Sequence, residues 1–280
     1  MKKILFPVDL SPTGKHAFCY AIRIASLLDA CLIILHIYDF PDVTDPSLPD
    51  NVEDILNLTE REARRRTDRN IHILGEIVRE VGHSNPMVSN EIRHGERVSV
   101  IATHAEENDV DLIVMGAEKE SKLKLLLMGS VITKLIKSVT VPVLSVPMTA
   151  STEVDMRKIA YTTLFKSEEI PALQSVVALA KAADASVYAV YITPKQTEKK
   201  QTRLRAFKRH FHRAQVNFEI VQDKHPGRCI ENYVKAHEID VVAVLTYRRN
   251  SIARLLRYSL AQKLSHKLQI PLCALHLEED

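Results

Sequence analysis

No stretch of this 280-residue chain approaches the ~18 consecutive apolar residues that a membrane-spanning helix needs. Met1-Lys2-Lys3 has the basic opening of a signal peptide, but the apolar run behind it stops at Asp9, too short for an h-region. The cytoplasm is therefore the expected compartment. Cysteine is scarce: Cys19, Cys31, Cys229 and Cys273 form neither a CxxC pair nor a Cys/His group with zinc spacing. They read as small buried hydrophobes. The chain also lacks GxSxG, a Walker Gly-x4-Gly-Lys-Ser/Thr loop and HExxH. Those absences leave no sequence support for a nucleophile elbow, a P-loop or a zinc protease helix.

What is present is ordinary for a globular protein: 46% of residues are hydrophobic and 26% charged, enough to bury a core. The length suits one or two domains. The net charge of +3 hides an asymmetry. Residues 1–150 sum to 17 − 21 = −4, and residues 151–280 to 21 − 14 = +7. The most basic segment, Lys199 to Arg213, places Leu204, Phe207 and Phe211 on one side of a helix. It reads as an amphipathic helix with its charges solvated. Arg64-Arg65-Arg66 reads as the solvated face of another helix, because no aromatics interleave to stack bases. No membrane or nucleic-acid partner is expected.

In chain order, Lys2–Asp9 is a short strand and Ser11-Pro12-Thr13-Gly14 a helix start. Ala17 to Leu28 carries a helical apolar face, and Cys31–Ile37 is a second buried strand. Strand, helix, strand at this spacing is a βαβ unit and demands a parallel sheet. A long helix over Val52–Val81, a weaker strand at Met87–Ile92 ended by Gly95, and a helix over Val98–Glu107 follow. Asp111–Met115 and Pro142–Val146 are the fourth and fifth strands. After a polar linker near residue 150 the pattern restarts with Arg157–Thr163. A constant offset of 129 (240 − 111) superposes Asp111 on Asp240, Leu126-Leu127 on Leu255-Leu256, Ser130 on Ser259 and Pro142 on Pro271. That is a tandem duplication, with expected domains at 1–150 and 151–280.

The chain is organised around Asp111-Leu112-Ile113-Val114-Met115-Gly116, a loop containing Lys119, and Gly129-Ser130 at the start of a helical pattern. A glycine permits close backbone approach, and free N–H groups at a helix start attract phosphate.

These residues, with the Lys-Ile-Leu-Phe-Pro-Val-Asp start, Leu35-His36-Ile37 and the closing Val141-Pro142-Val143-Leu144-Ser145-Val146, resemble the universal stress protein family in its tandem two-domain form. The resemblance implies an α/β fold of two doubly wound domains, each a five-stranded parallel sheet with helices on both faces. It implies a ligand beyond the carboxyl ends of the strands. ATP or a related nucleotide is the implied cofactor, in the N-terminal domain only. Asp9, with Pro7 and Val8 before it, would meet the adenosine end, and the Ile37 backbone would border the base. Met115 and Gly116 would allow close approach, while Gly129, Ser130 and Val131 would face the phosphates. Family members that bind ATP carry Gly-x2-Gly-x9-Gly-Ser/Thr; here the second glycine is Lys119. Its side chain either blocks the phosphates or adds a positive charge beside them. In the second domain no glycine stands at the three matching positions and Asp9 has no counterpart, so that copy reads as degenerate. The expected function is a stress-response regulatory module without robust catalysis. Two alternatives stand beside it: an interaction protein with both sites vestigial, and a slow ATPase. The fifth strands, Val141–Val146 and Ile270–Leu275, are expected to pair the two domains within the chain, leaving homodimerisation open.

Overall fold

The computed structural model describes residues 2–39, 52–81, 86–117, 130–151, 156–246 and 269–276. In the N-terminal half, β1 (Lys3–Pro7) leads through α1 (Pro12–Leu27) to β2 (Cys31–Tyr38). The long helix α2 (Val52–Val81) precedes β3 (Val88–His94), α3 (Arg97–Glu107), β4 (Leu112–Ala117), α4 (Ser130–Ser138) and β5 (Val143–Pro147). The C-terminal half repeats the order: β6 (Lys158–Thr162), α5 (Ile170–Ala182), β7 (Ser186–Thr193), α6 (Glu198–His210), β8 (Val216–Gln222), α7 (Pro226–His237), β9 (Val241–Thr246) and β10 (Leu272–His276).

All ten strands form one sheet in the order β3-β2-β1-β4-β5-β10-β9-β6-β7-β8. Within each half the pairs are parallel, as βαβ crossovers require. Among the described strands the one antiparallel junction joins β5 to β10, with Leu272 opposite Ser145 and Ala274 opposite Val143. Ser145 Oγ donates to the Leu272 carbonyl at 3.2 Å, and His276 Nε2 donates to the Ile136 carbonyl at 2.6 Å. The fold is doubly wound. One face buries Phe18, Leu74, Leu173 and Phe207 from α1, α2, α5 and α6. The other buries Ile101, Leu135 and Ile230 from α3, α4 and α7. On α6 the apolar stripe docks inward, with Phe207 buried, Phe211 buried just beyond the helix and Leu204 half-buried against the core.

The duplicated halves reuse the same latches. Asp111 accepts from the Lys3 backbone N–H at 2.7 Å, and Asp240 from Arg157 and Lys158 at 2.9 and 2.8 Å. Lys3 Nζ donates to the Asn108 carbonyl, and Lys158 Nζ to the His237 carbonyl. Each acidic side chain thus ties the start of a fourth strand to the start of its first, satisfying backbone donors that the ladder leaves over.

One expectation needs correction. Cys229 and Cys273 are buried, but Cys19 and Cys31 are only half-buried. Cys31 opens β2 at the rim of the sheet, where the core does not close over it. The segments around Tyr247–Ser259, with Arg248, Arg249, Arg254 and Arg257, lie outside the described residues.

Candidate functional site

The β1–α1 turn is built by short-range polar chemistry. Ser11 caps α1, its hydroxyl accepting from the Gly14 N–H at 3.0 Å, with Pro12 in the first turn. Asp9 folds back over this cap: one carboxylate oxygen accepts from the Ser11 N–H at 2.9 Å, the other from its hydroxyl at 3.1 Å. Such packing leaves no room at Gly14, where a Cβ would lie 1.9 Å from the Asp9 carbonyl oxygen. Gly116, at the end of β4, faces the same turn; a Cβ there would lie 2.8 Å from the Thr13 carbonyl oxygen. The approach that Gly116 permits in the structure is therefore that of the α1 N-terminus.

Beside this turn, at the carboxyl ends of β1, β2 and β3, lies a cavity of about 280 Å³. Val8, Asp9, Leu10, His36, Ile37, Tyr38 and Ile92 line it from the sheet, Ala63, Arg66, Thr67 and Asn70 from α2, and Arg97 from α3. A second hollow of about 380 Å³ adjoins it, sharing Tyr38, Ala63 and Arg66 and adding Arg65, Arg69, Asp39, Thr59 and Glu62. A larger, more open depression of about 530 Å³ lies on β8 and α7. It is remote from the β1–β4 crevice where ligands of doubly wound sheets bind.

Arg97 is held at the cavity through Nη2, which donates to the Val8 carbonyl at 3.2 Å. Its Nε is buried with no partner. His36 is 4% exposed. Its Nε2 faces Asn90 Oδ1 at 3.3 Å, and its Nδ1 is buried without a partner. Burial pushes its pKa below the usual imidazole value, partly offset by the Asn90 contact.

Of the residues expected from sequence, Val8, Asp9 and Ile37 share the cavity. Pro7 ends β1, in register with Leu35. Met115 and Gly116 lie in neighbouring β4, and Val131 is half-buried in the first turn of α4. Lys119, Gly129 and the Ser130 side chain lie outside the described residues. Gly14, His36, Arg66, Asn70 and Arg97 were not expected from the sequence. The signal for Arg97 was its place two residues after Gly95, at the helix start that follows β3.

The same place in the C-terminal half is filled. Strand register aligns Lys3 with Lys158 and Cys31 with Ser186. Leu10 thus corresponds to Phe165 and His36 to Tyr191. The next pair of strands aligns Asn90 with Phe218. Phe165 packs 6.0 Å from Tyr191, 5.3 Å from Phe207 and 5.9 Å from Phe218, centroid to centroid.

Residues 1–147 match the model of the Universal stress protein family. The stress response protein NhaX of Bacillus subtilis is 28% identical over 162 residues, covering 51% of this chain and 96% of that protein. A universal stress protein of Methanocaldococcus jannaschii is 28% identical over 156 residues, covering 52% of this chain and 94% of that protein. The crystal structure of a universal stress protein from Archaeoglobus fulgidus superposes with a TM-score of 0.74 at 15% identity, covering 98% of both chains. That likeness carries the doubly wound architecture across both halves, and the family match falls on the half that holds the open cavity. The chain belongs to the universal stress protein family.

Proposed function

We propose that this protein is a nucleotide-responsive stress-response module without robust catalysis, working in the cytoplasm. In this reading residues 1–150 form a domain that binds ATP or a related nucleotide, and residues 151–280 form a degenerate copy. The observation that carries it is the cavity at Asp9 and Ile37, open in the N-terminal half and filled by aromatic side chains at the matching place in the other. Asp9 keeps acceptor capacity beyond its two bonds from Ser11. The cavity meets the strand ends beside β4, where the sheet changes direction and ligands collect. Bound nucleotide would alter a surface that partners read. In this reading the two domains pair within one chain, and the antiparallel β5–β10 strand pair supports it.

The test is direct. Denaturing the purified protein releases a nucleotide identifiable by absorbance and mass, and isothermal titration calorimetry with ATP gives a saturable heat. Absence of both would sink the reading. Lys119→Gly then sorts the two roles left to that lysine: tighter ATP binding marks it as a block, weaker binding as a phosphate ligand.

A further inference from the structure

The cavity contains more positive charge than a neutral nucleoside needs. Two guanidinium groups, Arg97 and Arg66, line it against one carboxylate, Asp9. Both oxygens of Asp9 already accept from Ser11. His36 adds no further positive charge, since burial favours its neutral form. Arg97 makes no ion pair among the described residues, and its buried Nε lacks a partner. A buried guanidinium N–H without an acceptor is costly, and an oxyanion is the group its planar fork best accepts. Asn70 and Thr67, half-buried on α2, add neutral polar groups to the same wall.

Sequence position places this charge at a definite end of the ligand. Arg97 is bonded to the carbonyl of Val8, the residue before Asp9. It therefore belongs to the adenosine end of the proposed site. The adjoining hollow continues the positive surface with Arg65 and Arg69, balanced in part by Asp39 and Glu62.

We propose that the cavity under α2 is a second anion subsite, in which Arg97 and Arg66 hold a phosphate carried on the ribose of the bound nucleotide. The preferred ligand is then a nucleotide with a 2′- or 3′-phosphate in addition to its 5′ group. This rests on the nucleotide reading above and names the ligand class more narrowly.

The experiment is calorimetric titration of the full chain with AMP, adenosine 2′,5′-bisphosphate and adenosine 3′,5′-bisphosphate. One bisphosphate is expected to bind roughly 10- to 100-fold more tightly than AMP, the gain of charge-assisted bonds to a desolvated guanidinium. Arg97→Gln should bring that ratio close to one, and Arg66→Gln should reduce it. Arg66 is exposed on α2, so its variant stays informative if loss of the Arg97–Val8 bond weakens the fold. Arg64→Gln, which removes only an exposed pair with Glu60, should leave the ratio unchanged. Equal affinity of AMP and both bisphosphates for the unmodified protein would overturn the subsite while leaving nucleotide binding intact. A ratio unaltered in both the Arg97 and Arg66 variants would overturn it as well. Failure of all three ligands to bind would overturn the nucleotide reading and this inference with it.

Discussion

The two halves share a framework and differ in what fills one corner of it. Asp111 and Asp240 make the same backbone latch, and Asp29 and Asp184 take the same left-handed turn, with φ of 49° and 50°. At the carboxyl ends of the strands the likeness stops. The N-terminal half sets His36 and Ala63 around an open cavity, with Asn90 against His36, and its first turn presents Asp9. The C-terminal half sets Tyr191, Phe218 and Phe207 around Phe165. Its first turn closes on itself: the buried Glu169 carboxylate accepts from the Thr163 hydroxyl and from the Leu164 N–H at 2.8 Å. One half can thus trade a cavity for packed core without moving a strand, because the aromatic side chains supply buried area where the other half keeps a hollow.

The sharpest way to break the comparison is to empty the filled corner. Phe207 is 2% exposed at its centre. Phe207→Ala should cost about 3–5 kcal/mol, the range for truncating a buried aromatic, read as a lower midpoint in urea unfolding. A loss under about 1 kcal/mol would show that the cluster does not carry the packing assigned to it. The converse change fills the open corner. Ala63 is 4% exposed and lines the cavity from α2. Ala63→Phe should weaken nucleotide binding about 100-fold, a loss of roughly 3 kcal/mol. Because the new ring enters an existing hollow, the fold should hold, as near-ultraviolet circular dichroism would report. Unimpaired nucleotide binding in a folded Ala63→Phe variant would move the site elsewhere.

Much of the framework was legible in the sequence because buried parallel strands announce themselves as short apolar runs. Cys31–Ile37 and Asp111–Met115 are such runs, and the long amphipathic pattern of Val52–Val81 is one helix. The site was legible only where it touches those runs: Asp9 ends the first and Ile37 lies near the end of the second. Arg66, Asn70 and Arg97 come from helices far apart in the chain, and no spacing rule joins them. Arg66 was also hidden among its neighbours. All three arginines lie exposed, as expected, with Arg64 paired with Glu60 at 2.6 Å, but Arg66 also lines the cavity. Gly116 was legible as a point of close approach, but the approaching group in the structure is Thr13. Sequence alone cannot tell backbone from ligand as the visitor.

The smallest expected effect separates the halves by pH. Register and repeat offset place Tyr191 where the first half has His36, and Tyr233 where it has His104. His104 is 2% exposed and lies 3.7 Å from Glu91; its counterpart Tyr233 donates to Glu219 at 3.1 Å. Burial lowers the pKa of both histidines, with Glu91 opposing the shift at His104. The unfolded chain, with histidine near 6.5, therefore binds more protons than the folded one below that pH. Their contribution to stability is complete above about pH 6.5 and is lost as pH falls through the folded values. Tyr233 does not titrate in this range, since burial raises it further above its ordinary value. Urea unfolding at pH 7.5, 6.5 and 5.5 should show stability falling as the pH falls. The double variant His36→Gln, His104→Gln should flatten this dependence, whatever its stability at neutral pH. An undiminished slope in that variant would assign the acid sensitivity to groups outside the cavity-bearing half.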